Sequence, residues 1–141
     1  MAKALFKFKP NVRARNGLGE TPLMFAAIKG ELEMSQLLID LGAPVNVEGW
    51  SPLHYAAWGG YTDLCKLLID KGAEIDSTGV NGFTPLLMAV RAGKLETVKL
   101  LVWEVANLTL RNADGLTALQ LALNLGHLEI AAHLRVAGAK E

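Results

Sequence analysis

The chain has 141 residues, 51% of them hydrophobic, and its 14 basic residues balance 14 acidic ones. A neutral chain of this size reads as one domain without the basic stripe that a nucleic-acid binder uses to displace phosphate counterions. No apolar run reaches the roughly 18 residues needed to span a bilayer, and one cysteine, Cys65, allows no internal disulfide.

The N-terminal stretch MAKALFKFKP carries three lysines and no acid. It lacks the continuous apolar core and small-residue cleavage site of a signal peptide. The cytoplasm is therefore the default compartment, which the lone cysteine suits. An exported form, periplasmic or secreted with its leader trimmed, stays open.

From Gly19 onward a pattern begins and returns. GETPLMFAAIKGELEMSQLLIDLGAPVNV starts at Gly19, GWSPLHYAAWGGYTDLCKLLIDKGAEIDS at Gly49, GFTPLLMAVRAGKLETVKLLVWEVANLTL at Gly82 and GLTALQLALNLGHLEIAAHLRVAGAKE at Gly115. The intervals are 30, 33 and 33 residues, and the mid-unit glycines Gly30, Gly60, Gly93 and Gly126 keep them. Each unit reads as helix, tight turn, helix and stop. Thr21, Ser51, Thr84 and Thr117 are hydroxyl N-caps that can accept from free backbone N–H groups. Pro22, Pro52 and Pro85 occupy the first helical position, where a missing N–H costs nothing. Leu23, Ala26 and Ala27 then share one helical face. The second helix carries Leu32, Met34, Leu37, Leu38 and Ile39, and Gly42 suits the left-handed stop. Neither helix is long enough to stand alone in water, so each must bury its apolar face on the next unit, as in a solenoid.

G-x-T-P-L-x-x-A-A, a central glycine, L-L-I and G-A at this period resemble the ankyrin repeat over about nine-tenths of the chain. The resemblance implies an all-α solenoid of antiparallel helix pairs joined by β-hairpin loops. It divides a single domain, 1–141, into an N-terminal half-repeat at 1–15 and repeats at 16–47, 48–78, 79–111 and 112–141. The half-repeat caps the front or marks a cut inside a longer array. Known members overwhelmingly bind other proteins with the hairpin tips and first helices.

Three departures stand out. The loop NVEG is three residues short, which should stunt one finger and leave a notch. Val105 stands where Gly42, Gly72 and Gly138 stand. A β-branched residue at positive φ costs roughly 1–2 kcal/mol, so WEVANL is expected to rearrange and Trp103 to turn inward over the altered turn. His133 and Arg135 replace apolar residues of the last outer helix and read as a solvent-facing cap.

The chemistry-bearing residues fit the scaffold. His54 stands two residues after Pro52, where the resemblance implies a structural imidazole bonded to backbone near the loops. Cys65 corresponds to Ser35, Val98 and Ala131, a small buried position, and reads as an inert thiol. No phosphate cradle, zinc pattern or nucleophile elbow is present in the sequence, so no catalytic residue, cofactor or metal is expected and the chain reads as a non-enzyme.

What varies at exposed positions should carry function. Two residues before each helix-opening Pro or Ala stand Glu20, Trp50, Phe83 and Leu116; just after the paired small residues stand Ile28, Trp58, Arg91 and Asn124. Finger tips include Leu18 and Val80. Trp50, Trp58 and Phe83 are expected on the concave face around the notch, with Gly59 leaving room for a partner side chain. The site is therefore Leu18, Glu20, Ile28, Trp50, Trp58, Val80, Phe83, Arg91 and Leu116. The expected partner is a protein, with no nucleic acid and no membrane, gripped by a monomer. An enzyme inhibited by covering its active site is one form of this. The alternative is a scaffold, adaptor or self-associating module, the last pairing through Leu116 and Leu125.

Overall fold

A computed structural model of the chain describes residues 12–16 and 20–141. Residues 1–11 of the expected half-repeat, and the site residue Leu18, lie outside the described residues. Eight α-helices form four antiparallel pairs among the described residues. They are α1 (Pro22–Lys29) with α2 (Leu32–Asp40), and α3 (Pro52–Gly59) with α4 (Thr62–Asp70). α5 (Pro85–Ala92) with α6 (Leu95–Trp103), and α7 (Ala118–Leu125) with α8 (Leu128–Val136), complete the stack.

Each first helix starts where its hydroxyl cap predicts. Thr21, Ser51, Thr84 and Thr117 accept from the backbone N–H three residues on. Three caps are reciprocal: the N–H of Thr21 reaches Met24 Sδ, that of Ser51 reaches His54 Nδ1 and that of Thr117 reaches Gln120 Oε1. Leu87 offers no such acceptor, so the third unit keeps only half of the box.

The first helices pack on one another more closely than the second helices do. Ala26, Ala27, Ala56, Ala57, Ala89 and Ala122 are buried there and permit the approach. The first helices thus line the inner, concave side. Two leucine ladders run through the core: Leu23, Leu53, Leu86 and Leu119 from the inner helices, Leu38, Leu68, Leu101 and Leu134 from the outer ones. Gly30 joins neighbouring units in two ways. Its φ of +71° lies in the left-handed region, and a Cβ there would sit 2.6 Å from the Tyr61 ring of the next unit.

The hairpin fingers register no strand among the described residues. A backbone bond spans each from end to end: Asn16 N–H to Glu20 O (3.0 Å), Gly79 N–H to Phe83 O (2.7 Å) and Asn112 N–H to Leu116 O (3.0 Å). The shortened loop at 46–50 has no such bond. Asn46 donates to Gly72 O at 2.9 Å and accepts from Glu74 N–H at 2.8 Å, tying the first unit to the second, as Asp76 does for the next pair by accepting from Asn107 N–H. The notch is present as a polar cleft flanked by Glu48, Glu74 and Asp76 rather than by aromatic rings.

The expected rearrangement at Val105 does not occur. Val105 takes φ +67°, and the N–H groups of Val105 and Ala106 bond to Val102 O and Leu101 O. Gly72 and Ala73 make the corresponding bonds in the second unit. Leu101 and Ala106, buried on either side of the turn, hold the backbone in place. Trp103 does not turn inward either: it is 81% exposed, and Val105 is 82% exposed.

Candidate functional site

Helices α3 and α5 come side by side, so the unlike residues of the second and third units face a common space. Trp50 precedes the Ser51 cap; Tyr55 and Trp58 lie one and two turns along α3. Phe83 precedes the Thr84 cap, and Met88 and Arg91 follow on α5. With Asn81 these side chains enclose an open cleft of about 310 Å³. Its walls are mainly aromatic and aliphatic; Asn81 is polar and Arg91 is its only charged lining residue.

Local bonds fix the floor. The fully buried His54 ring links three elements. Its Nδ1 accepts from the Ser51 N–H at 3.1 Å, which assigns the proton to Nε2 and makes Nε2 the donor to Phe83 O at 2.8 Å. The ring also meets Trp50 edge-on, with centroids 5.3 Å apart at 77°. Burial pushes the His54 pKa below 6.5, outweighing the backbone hydrogen bonds at Phe83 and Ser77 that favour the charged form. The imidazole is therefore a structural strut, in the role the resemblance implied. Trp50 is half-buried and lies over Gly79, where a Cβ would come 2.6 Å from the indole.

The expected site residues divide into groups. Trp50, Trp58, Phe83 and Arg91 converge on the cleft. Trp58 is 45% exposed and stands as its solvent-facing wall. Phe83 corrects the expectation of an exposed anchor: it is only 6% exposed, because the Arg91 guanidinium covers its ring at 5.4 Å and its backbone is tied to His54 and Gly79. Glu20 is half-buried in the first unit, accepting from Asn16, and with Phe25 it borders a neighbouring hollow. Ile28 is exposed on α1, Val80 borders the polar notch, and Leu116 is half-buried against the core. Gly59 makes no room for a partner, since the Tyr61 ring fills the space: a Cβ there would lie 2.3 Å from Tyr61 Cε2.

A row of residues beyond the expected ones completes the face. Phe25 is exposed, and Tyr55 and Met88 are half-buried, at the same place in successive units. Their signal was a bulky apolar residue three positions after each proline, beside the alanines yet not needed to fill the tight inner contact. Burial, and secondarily the charge of Glu20, raises the Tyr55 pKa, so its hydroxyl stays protonated at neutral pH.

The other reactive-looking residues lie apart. Cys65 is fully buried and its pKa is pushed up to about 12 by burial, which leaves the thiol inert. His127 packs its ring against Gly93. Arg135 is exposed and pairs with Glu141, in keeping with a polar last helix. Among the described residues, no three His, Cys, Asp or Glu side chains come together to hold a metal ion. No helix among them is long and apolar enough to cross a membrane.

The family model for ankyrin repeats (3 copies) matches residues 1–79 and 74–140. The chain belongs to the ankyrin-repeat family. Ankyrin repeats are generally protein–protein interaction modules and typically have no catalytic activity of their own. Comparison with curated proteins gives no match. In this ankyrin-repeat chain the unlike residues gather on the inner helices of the second and third units, with the cleft between them.

Proposed function

We propose that the chain is a non-enzymatic binding module that grips a partner protein with its concave face, centred on the cleft between α3 and α5. The observation that carries this is Trp58, an indole left 45% exposed beside an apolar cleft on the side where the helices draw together. Exposed aromatics at such a place are anchors that gain most when a partner covers them. Phe25 and Ile28 extend the apolar surface across the first unit. A stable interface needs about 1,600 Å² in total, within reach of four units. Where the partner is an enzyme, a segment seated in this cleft would carry its neighbouring surface against the stack, and inhibition by covering the active site follows.

The test is affinity capture from native extract, then titration of the captured partner against the wild type and W58A. Removing the indole should weaken binding by about 2 kcal/mol while the fold is kept. Unchanged affinity in a folded variant removes this face from the account.

Self-association is a second reading with its own observation. Trp103, Val105 and Val136 are 81%, 82% and 87% exposed at the ends of consecutive outer helices. Light scattering across concentration decides it: a persistent monomer removes it.

A further inference from the structure

We propose that the cleft between α3 and α5 takes a bulky apolar side chain that the partner carries beside a carboxylate: an aromatic residue or leucine next to Asp or Glu in an exposed segment. This rests on the protein-binding reading above and adds the chemistry of the occupant.

The walls dictate the apolar half. Trp50, Tyr55, Trp58, Phe83 and Met88 enclose about 310 Å³, at the small end of ligand-pocket volumes and suited to one large side chain. Arg91 dictates the other half. Its guanidinium carbon lies 5.4 Å from the Phe83 ring centroid, a contact that engages the charge without taking up an N–H donor on an acceptor atom. Among the described residues Arg91 has no ion pair or side-chain hydrogen bond. An occupant that covers it without supplying an acceptor strips its water and leaves a charge unpaired. A carboxylate at the rim supplies that acceptor in the two-pronged geometry that arginine favours.

The surroundings disfavour the opposite charge beside Arg91. Aromatic rings attract cations, but Arg91 already sits over the Phe83 ring, and its charge opposes a second cation among the neighbouring rings. Lys94, which follows Arg91 at the start of α6, packs its aliphatic stem over Gly60, and its ammonium has no ion pair among the described residues. Glu20 is engaged by Asn16 in the first unit and does not line the cleft; its charge reaches Tyr55 on one wall, which places the partner's acid at the opposite, Arg91 end. A lysine or a methylated lysine on the partner would meet repulsion where an aspartate or glutamate meets a donor.

The experiment is selection of phage-displayed random dodecapeptides on the full chain, with W58A and R91E as parallel baits. Equal melting temperatures of the three proteins establish that both variants fold. Selected peptides are then synthesised with blocked ends and titrated by tryptophan fluorescence, each beside a version with its acid changed to the amide. The proposal expects peptides that need Trp58 and pair an aromatic residue or leucine with Asp or Glu. The amide version, and R91E, should each weaken binding about tenfold. Peptides that need Trp58 but show no preference for acid, or prefer lysine, overturn this inference and leave the protein-binding reading standing. A selection in which no peptide depends on Trp58 counts against both.

Discussion

The second and third units share a backbone but not their parts. Leu53 and Leu86 match, and so do Leu68 and Leu101, all buried in the ladders. Elsewhere the pair diverges. His54 closes the cap box that Leu87 leaves open. Gly72 exits its helix without strain where Val105 does so at φ +67°. Trp50 and Trp58 stand opposite Phe83 and Arg91. The lesson is that the leucines and alanines between units set the path of the chain, while local bonds and exposed inner residues are free to differ. Binding then arises where two unlike units meet.

The largest expected effect tests the shared part. Leu53→Ala and Leu86→Ala should each cost about 2–5 kcal/mol in urea denaturation. Because units are held by their neighbours, either loss should break the single transition and uncouple the ends. A small loss in one unit alone would break the equivalence.

The helix exits give a smaller, mirrored effect. Val105→Gly relieves about 1–2 kcal/mol of left-handed strain but loses about 0.5–1 kcal/mol to the freer unfolded chain, for a net gain of about 1 kcal/mol. Gly72→Val should lose a similar amount, because nothing within 4 Å crowds a Cβ there and the same two terms enter with opposite sign. Chemical denaturation of both proteins measures the pair. Equal signs would mean that the two exits are not the same structure.

Smallest is the pH dependence carried by His54. Its folded pKa lies below 6.5, so the unfolded chain takes up a proton that the folded form refuses. Its contribution is complete above 6.5, erodes below that value and is gone once the pH has fallen through the lowered folded value. Melting temperature should therefore fall between about pH 7 and 5, and His54→Gln should flatten that fall. Gln120 makes the same reciprocal cap in the fourth unit, so the variant keeps the box. An unchanged slope would assign the pH dependence to other groups.

What could be read in the sequence was what each unit decides for itself. Hydroxyl caps, first-position prolines and mid-unit glycines act within one turn of helix, and all fell where expected. The leucine ladders followed because helices this short have nowhere else to bury their faces. Contacts between units could not be read in the same way. Phe83 looked like an exposed anchor because its cover, Arg91, is eight residues on and folds back over it. Gly59 looked like space for a partner because Tyr61 was not known to fill it. At Val105 the intrinsic preference against positive φ was plain, but the burial of Leu101 and Ala106 outweighs one strained residue. Phe25, Tyr55 and Met88 were passed over because bulky apolar residues usually mean core, and only the stack leaves their row partly open.

Front and back of the molecule each display a tryptophan, and this permits the most direct measurement. The captured partner is titrated by calorimetry against the wild type, W58A and W103A. A cleft-centred interface predicts that W58A loses about 2 kcal/mol while W103A, whose indole is 81% exposed on an outer helix, binds as the wild type does. Full affinity in W58A together with a loss in W103A would contradict it and move the interface to the outer helices.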